Sequence, residues 1–331
     1  MKIVATAGTD DMAQVYIAEF TGGKRAEFCE SVQPPLPRRK KWVLIVSTLF
    51  GCPVGCLMCD AGQTYEGRLS AEQILAQIDF LVRERYPDGV IDVEKFKIQF
   101  ARMGEPAFNP AVLDVLEALR NRYRAPGLIA SLSTIAPAGM APFFERLLEI
   151  KRIHYAAGAF QFQFSIHSTD TVWRDRLAPV RKWSFSEMAA YGERFFEAGD
   201  RKITLNFALA REAPVTPSIL ARFFDPGKFL IKITPLNPTY KARECGLLSY
   251  LDPCAEETED SLIVKELRRE GYDVIVSIGE VEENRIGSNC GQYVLEHLKG
   301  RASIPDGYTY GLTPYGGRRQ PALVSRNDLR G

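Results

Sequence analysis

The chain has 331 residues, of which 46% are apolar and 25% charged, and its formal net charge is +1. This composition excludes a disordered chain and does not support a surface dominated by phosphate binding. No run of eighteen apolar residues and no signal-peptide pattern occurs, so neither membrane insertion nor secretion is predicted. Seven cysteines, an odd number, suit a reducing compartment, so we expect a cytoplasmic protein with one large core.

The first predicted element is a β-hairpin over residues 13–32, in which two alternating segments flank a Gly22-Gly23 turn. The linker Pro34-Pro35-Leu36-Pro37 separates it from an apolar strand over residues 42–47. We divide the chain into an N-terminal hairpin extension (1–37), a main α/β unit (38–300) and an irregular C-terminal tail (301–331), within a single structural domain.

Strands and helices alternate after residue 42, which predicts βαβ units and a parallel sheet. Helix starts are marked by Ser70, Pro110 and Ser184 or Ser186, each followed by apolar residues at helical spacing. Further strands are predicted at 95–101, 128–133, 160–166, 202–209 and 229–234, with 273–278 as an additional edge strand.

Three cysteines lie close together in a glycine-rich loop directly after the first of these strands. Cys52, Cys56 and Cys59 have C-x3-C-x2-C spacing, and Gly51 and Gly55 allow tight backbone turns around them. Without a fourth cysteine nearby, a [4Fe–4S] cluster held here keeps one iron free of protein ligands, open to a substrate or cofactor. A zinc site completed by a distant ligand, or three merely buried cysteines, are the alternatives.

Polar residues also follow the carboxyl ends of the other predicted strands, where active sites of such sheets form. Each has a simpler interpretation as a turn or strand-end residue. Together with the cysteine loop they predict one site on this rim. The candidates are Gly104, Glu105, Ser133, Ser165, His167 and Asn237.

These residues resemble a known family. C-x3-C-x2-C after an apolar strand is the signature of the radical S-adenosylmethionine (SAM) enzymes, and residues 13–300 resemble the RlmN/Cfr-type methylases. The matching motifs are Met103-Gly104-Glu105-Pro106, Leu132-Ser133-Thr134, Ser165-Ile166-His167, Pro235-Leu236-Asn237-Pro238 and Asn289-Cys290-Gly291-Gln292. The resemblance implies an incomplete (β/α)6 barrel.

The same resemblance implies the cofactors and their ligands. Cys52, Cys56 and Cys59 are expected to hold a [4Fe–4S] cluster, and SAM is expected at the open iron. Glu105 is expected to accept a hydrogen bond from the SAM amino group, while Ser133, Ser165 and Asn237 contact its carboxylate and ribose. An electron donor such as flavodoxin or ferredoxin is the expected protein partner, and neither DNA nor a membrane is expected.

Cys290 matches the family cysteine that receives a methyl group from one SAM before transfer by a radical. The family releases the product with a second cysteine seven residues before the cluster, but this chain has Ile45 there. Cys29, Cys245 and Cys254 are the candidates to replace it. Glu27 lies near the place of a family glutamate that handles the substrate proton.

Two further departures from the family bear on the substrate. Met58 stands where an aromatic residue is usual, and the family's amino-terminal accessory domain has no counterpart. The sequence therefore favours a radical SAM methyltransferase for a small or medium-sized substrate. The alternatives are an RNA adenine C2/C8 methyltransferase and, from another class, an iron–sulfur electron-transfer or binding protein.

Overall fold

The computed structural model describes residues 1–32, 34–251, 261–277, 281–288 and 309–316. In these ranges the strands are β1 (Lys2–Gly8), β2 (Ala13–Glu19), β3 (Arg25–Ser31), β4 (Trp42–Val46), β5 (Leu49–Gly51), β6 (Tyr65–Arg68), β7 (Phe96–Phe100), β8 (Leu128–Thr134), β9 (Phe160–Ser165), β10 (Ile203–Leu209), β11 (Phe229–Pro235), β12 (Val274–Val276) and β13 (Thr313–Pro314).

The helices of the same ranges all follow β6 in the chain and mostly lie between strands. They are α1 (Ala71–Arg85), α2 (Ala111–Arg122), α3 (Ala141–His154), α4 (Thr171–Leu177), α5 (Phe185–Phe195), α6 (Pro217–Phe223), α7 (Tyr240–Glu244), α8 (Leu262–Arg269) and α9 (Val281–Ile286). Single 3-10 turns occur at Asp60–Gln63 and Pro106–Phe108.

One large sheet organises the described part of the chain. Its strand order is β12-β11-β10-β9-β8-β7-β4-β3-β2-β1-β13. From β4 to β12 all neighbours are parallel, and from β4 to β13 they are antiparallel. The predicted α/β class and parallel sheet are confirmed, and the pairing within the described residues is that of an open, incomplete barrel.

The predicted hairpin is part of a larger meander. β2 and β3 pair as expected, but β1 adds a strand that the sequence pattern did not indicate, and β3 continues the sheet by pairing with β4. The buried carboxylate of Glu30 ties this meander down, since it accepts hydrogen bonds from Trp42 Nε1 (2.8 Å), Tyr16 Oη (3.0 Å) and Arg85 Nε (3.1 Å). The three partners come from β4, β2 and α1.

Local signals in the sequence explain where two of the helices begin. Ser70 caps α1 and forms a reciprocal capping box with Gln73. Ser184 caps α5 and does the same with Glu187. The apolar faces of most helices pack on the sheet in one large core that extends to the N-terminal meander, while α4 and α7 contribute Leu177 and Ala242 to a smaller cluster. Within the described ranges, none of the helices combines the length and apolar character needed to cross a bilayer.

Part of the predicted tail takes up regular structure. β13 pairs with β1, and Tyr315 packs edge-on against the rings of Tyr16 and Phe80. Tyr310 donates a hydrogen bond to Glu282 of α9 (2.5 Å). This stretch therefore lies on the outside of the meander, while residues 301–308 and 317–331 lie outside the described ranges.

Candidate active site

The cysteine loop follows β5 and depends on glycine for its shape. Gly51 and Gly55 have φ values of 79° and 69°, a region that side chains strongly disfavour. A β-carbon on Gly51 would also collide with the Thr64 carbonyl group, and one on Gly62 would collide with the Gly55 backbone. The loop is thus folded back closely on itself.

The three cysteines lie partly buried in this loop. Burial raises the pKa of Cys52 to about 11 and that of Cys56 to about 12. Backbone N–H groups of Val54 and Glu105 oppose this effect at Cys52 by donating to its sulfur. Because metal binding requires thiolates, a cluster at this loop would displace protons from these sulfurs.

No three His, Cys, Asp or Glu side chains converge as a ready-made metal site in the described ranges. The donor set, its spacing and the glycine-shaped loop fit a [4Fe–4S] cluster, whereas the side-chain positions are not already those of a bound cluster. Cluster binding is therefore expected to reorient the cysteine side chains.

A second loop holds the cysteine loop in place from the side of β11. Asp60 accepts hydrogen bonds from the backbone N–H groups of Tyr240 (3.2 Å) and Lys241 (2.8 Å) at the start of α7. Thr239 Oγ1 donates to the carbonyl oxygen of Met58 (3.0 Å). This contact brings Asn237, just upstream, to the same end of the sheet as the cysteines.

A cavity of about 370 Å³ opens beside the cysteine loop and is lined by residues of β4 and β7 to β11. Four of the six SAM-contact candidates and two of the three cysteines line it. They are Ser133, Ser165, His167, Asn237, Cys56 and Cys59. The sequence-based expectation that these groups meet on one rim thus agrees with their positions in the structure.

Two buried polar atoms in this cavity lack a partner within the described part of the protein. They are Ser133 Oγ and Asn206 Oδ1. Leaving a buried polar group unpaired costs about 1–3 kcal/mol, so such atoms are expected to gain partners from a bound molecule. Neutral donors and acceptors of this kind suit the hydroxyl and carboxylate groups of SAM.

His167 has an unusual backbone and a fixed protonation state. Its φ is 64°, in the left-handed region, and its Nδ1 accepts a hydrogen bond from the Ala208 N–H (3.1 Å). Burial and the nearby charge of Arg174 lower its pKa to about 4. The imidazole is therefore neutral near pH 7, and with Nδ1 accepting, Nε2 carries the proton and is a donor.

Gly104 and Glu105 do not line the cavity, but Glu105 contacts Ile135, which does. Glu105 accepts hydrogen bonds from Thr134 Oγ1 (2.5 Å), Ile135 N (3.0 Å) and Ala107 N (3.1 Å), and burial raises its pKa to about 7. A carboxylate has about four acceptor positions, so most of them are used within the protein. Gly104 (φ 99°) packs so closely on Leu49 that a β-carbon would clash.

Ile45 stands where the resembled family has its second cysteine, and the structure places another thiol next to it. Ile45 lines the cavity, and Cys29 of β3 lies directly opposite it in the antiparallel pair, so both side chains face the cavity side of the sheet. Cys29 is fully buried and its Sγ lies 3.5 Å from the carbonyl oxygen of Ser288. A thiol is thus available one strand away from the expected place.

Arg102 fixes the segment that leads toward Cys290. Its Nη1 donates to the carbonyl oxygen of Ser288 and its Nη2 to that of Gly287, both at 2.8 Å. The same guanidinium forms a fully buried ion pair with Glu27 (2.5 Å). Cys290 and Cys254 themselves lie outside the described residues, so their predicted roles stay predictions.

Further cavity residues were not singled out from the sequence. They are Gln99, Gln163, Lys232 and Glu283. All but Glu283 lie within strands, where a polar residue in an alternating pattern is normally assigned to solvent. Met58, the unusual residue beside the last cysteine, also lines the cavity.

The open parallel sheet, the three-cysteine loop and the polar cavity beside it are the arrangement expected of a radical SAM enzyme. The chain superimposes on a radical SAM methyltransferase from Sphaerobacter thermophilus with a TM-score of 0.69 over 88% of this chain and 80% of that one. At 22% identity this likeness establishes the fold.

Sequence comparisons find relatives that are named RlmN. No protein-family model matches the chain. It is 29% identical over 283 residues (81% of this chain, 71% of the relative) to a "Probable dual-specificity RNA methyltransferase RlmN" of Mycobacterium marinum. A protein of the same name from Desulfitobacterium hafniense is 29% identical over 280 residues (80% and 72%). The chain is therefore related to the RlmN-type radical SAM methyltransferases.

Proposed function

We propose that the protein is a radical SAM methyltransferase that modifies RNA through a methylated Cys290. The observation that carries the proposal is the single cavity in which Ser133, Ser165, His167 and Asn237 meet Cys56 and Cys59. The relatives are named as RNA methyltransferases. Their names favour RNA over the small or medium-sized substrate that the sequence alone suggested.

Cys52, Cys56 and Cys59 would hold the [4Fe–4S] cluster, and the cavity beside them would hold SAM. When bound and reduced, the cluster and SAM supply a 5′-deoxyadenosyl radical. Ser133 and Asn206 offer the unpaired polar atoms that SAM can satisfy, and His167 offers a neutral Nε2 donor. Neutral groups orient SAM without adding a charge that competes for its carboxylate.

Glu105 has a positioning role in this proposal. Three hydrogen bonds from its own chain fix its carboxylate between β8 and the 3-10 turn after Gly104. Because Glu105 does not line the cavity, the hydrogen bond to the SAM amino group that the resemblance implies stays a prediction. Its backbone N–H also donates to Cys52. The residue thereby links the cysteine loop to the wall of the SAM cavity.

An electron donor of the flavodoxin or ferredoxin type, in a cytoplasmic setting, completes the proposal. The electron-transfer alternative differs in one measurable respect, because a protein that only carries electrons leaves SAM intact. Formation of 5′-deoxyadenosine by dithionite-reduced protein separates the two.

The methyl transfer itself is tested by isotope labelling. Protein produced with CD3-labelled methionine is expected to carry one labelled methyl on Cys290, and after reduction to pass a labelled carbon to RNA. Peptide mass spectrometry and nucleoside analysis read the two steps. An unmodified Cys290, together with full activity of Cys290→Ala, would exclude the methylated-cysteine mechanism and leave the SAM-cleavage assignment standing.

Among the candidate thiols for product release, the structure favours Cys29. It lies opposite Ile45 on the cavity side, and its Sγ contacts the backbone of Ser288, two residues before Cys290. Attack by Cys29 on the Cys290 sulfur would form a disulfide, with the electron pair of the broken carbon–sulfur bond leaving on the product carbon, where a proton is gained. Burial raises the pKa of Cys29 to about 12, so its own proton must be removed first.

We therefore expect Cys29→Ala to stop after one addition, with the RNA product attached to Cys290. Denaturing gels would show this as a protein–RNA adduct. Cys245→Ala is the matched control, because Cys245 is a half-buried thiol at the end of α7 that does not line the cavity. Normal turnover in Cys29→Ala, or an equal adduct in Cys245→Ala, would assign release to another group.

A further inference from the structure

Two segments from other parts of the rim flank the cysteine loop. The backbone N–H of Leu57 donates to the carbonyl oxygen of Leu177 (2.9 Å), where α4 ends. On the other flank, Asp60 accepts a hydrogen bond from the backbone N–H of Lys241 (2.8 Å) at the start of α7. The end of α4 with the residues after it, and α7, are therefore the parts of the chain that a molecule meets beside the loop.

The surroundings of the loop carry an excess of positive charge. We define the cysteine-loop face as residues 52–64, 174–182 and 239–245, which contain six basic and three acidic residues. The acidic ones are Asp60, which is buried, Asp175 and Glu244. Because the whole chain has a net charge of only +1, this excess is local. The basic residues are Arg174, Arg176, Arg181, Lys182, Lys241 and Arg243.

Several of these charges are directed to solvent without a counter-charge. Arg176 and Arg181 are exposed and Lys241 is half-buried. Among the described residues, none of these three side chains forms an ion pair, whereas Asp175 is already paired with Lys182 (2.6 Å). The face thus presents positive charge that a negatively charged partner can neutralise.

The unpaired cations lie outside the cavity in which SAM and the substrate would react. Cys56 and Cys59 line that cavity, but Arg176, Arg181 and Lys241 do not. A protein bound to these cations would be next to the cysteine loop without displacing SAM or the substrate. This is the position that a protein donating electrons to the cluster requires.

A further positive charge lies close to the cysteines. Val180 and Cys56 pack against the same small cluster that contains Val54. Lys182 Nζ donates to the carbonyl oxygen of Val180 (3.1 Å). Burial raises the pKa of Cys56, and the ammonium group of Lys182 is near enough to oppose this effect. The same charge would stabilise a cluster that becomes more negative when it is reduced.

We propose that the cysteine-loop face is the docking surface for an acidic one-electron carrier protein, and that Arg176 and Arg181 contact it. That a donor is needed rests on the proposed function. One electron leaves the reduced carrier and enters the cluster, which gains one negative charge. Complementary charges speed the encounter of the two proteins, and electron-transfer complexes bury less than about 1,200 Å² in total, so a small charged face is sufficient.

Binding is tested on the full chain with its reconstituted cluster, under anaerobic conditions. The probe is a purified bacterial flavodoxin with a negative net charge. Calorimetric titration at low ionic strength should show a saturable complex of the two oxidised proteins. Stopped-flow mixing with reduced flavodoxin should show cluster reduction at a rate that falls as sodium chloride is added. Absence of the complex, or a rate that salt leaves unchanged, would overturn the proposal.

The variants are Arg176→Glu and Arg181→Glu, with Arg222→Glu as the matched control. Arg176 lies over the ring of Trp173 (4.8 Å), and Arg222 is likewise exposed and lies over the ring of Phe223 (5.6 Å). Arg222 belongs to α6, which packs against α5 and α8.

Each variant of the face should lower the affinity for flavodoxin and the rate constant of cluster reduction by at least about fivefold, and the double variant by about twentyfold. The control should lose less than about twofold, since its charge is remote from the loop. Equal losses in all three single variants would reduce the effect to net charge and contradict a docking surface.

Dithionite separates an effect on docking from damage to the cysteine loop, because it reduces the cluster without a protein partner. Each flavodoxin-driven rate of 5′-deoxyadenosine formation is therefore divided by the dithionite-driven rate of the same variant. This ratio should fall in Arg176→Glu and Arg181→Glu. A ratio that stays at the wild-type value would mean that the substitutions act on the loop itself, and the proposal fails.

RNA is the competing partner for a basic face. If Arg176→Glu and Arg181→Glu weaken RNA binding but leave flavodoxin binding and cluster reduction at wild-type values, the face belongs to RNA and the proposal fails. Dithionite-driven SAM cleavage and the labelling of Cys290 do not involve flavodoxin, and the calorimetric titration does not involve RNA. The proposed function and the docking surface can therefore fail separately.

Discussion

Replacing Arg102 with methionine is expected to lower the free energy of unfolding by about 3–5 kcal/mol, because it leaves the Glu27 carboxylate buried without its counter-charge. The variant also loses the two hydrogen bonds to the carbonyl oxygens of Gly287 and Ser288. Urea unfolding followed by circular dichroism measures the change.

The double variant Glu27→Gln/Arg102→Met separates charge burial from lost packing. Removing both charges should restore more than half of the lost stability, since the uncompensated carboxylate is the main cost. Arg146→Met is the surface control, because Arg146 pairs with Glu117 and Glu149 in solvent, and it should change stability little. An Arg102→Met variant as stable as this control would show that the buried pair contributes nothing.

The second large effect is expected at the cysteine loop. Cys56→Ala should abolish the iron and sulfide bound after anaerobic reconstitution, and with them the reductive cleavage of SAM. Two remaining thiolates do not suffice for a cluster that already has one open iron. Iron and sulfide analysis, Mössbauer spectra and the yield of 5′-deoxyadenosine measure the loss.

Cys245→Ala is again the control, and it should keep full cluster content. Reconstitution should also raise the melting temperature of the wild type, because the thiols are not preorganised as a metal site and binding energy stabilises the folded loop. Zinc in the native protein, or a cluster in the triple cysteine variant, would show that the loop has another role.

The parallel part of the fold could be predicted because its strands are short apolar runs between helix and turn signals. Ser70 and Ser184 mark helix starts through side-chain capping, a local effect that is visible in the sequence. Helix α3 was harder, since Met140 at its N-cap makes no side-chain hydrogen bond. β1 was missed because its role depends on pairing with β2 and β13, which sequence alone does not show.

The polar residues of β7 that face the interior could not be predicted. In a barrel, both sets of an alternating strand pattern are covered by protein, so a polar set does not have to face solvent. In β7, Phe96, Ile98 and Phe100 are fully buried, and Lys97 and Gln99 between them resemble a solvent-facing set. In the fold that second set faces the interior. Only the curvature of the whole sheet decides which side is inside.

The relation of Cys29 to Ile45 was also beyond the sequence. It depends on the register between β3 and β4, which pairs the two residues directly. Register across a connection of this length is set by the packing of both faces. The site motifs were visible because each lies in a contiguous stretch, whereas the pairing of Cys29 with Ile45 is visible only in three dimensions.

The edges of the large sheet bear on how the protein behaves at high concentration. Exposed sheet edges invite strands from other molecules and lead to aggregation. Here one edge is the three-residue β12, and at the other β13 covers Ala5 and Thr6 of β1. The pairing of β1 with β2 is irregular between Ile3 and Ala5, and Lys2 begins the strand. Neither described edge offers a long, regular ladder, which disfavours edge-to-edge association between copies of the protein.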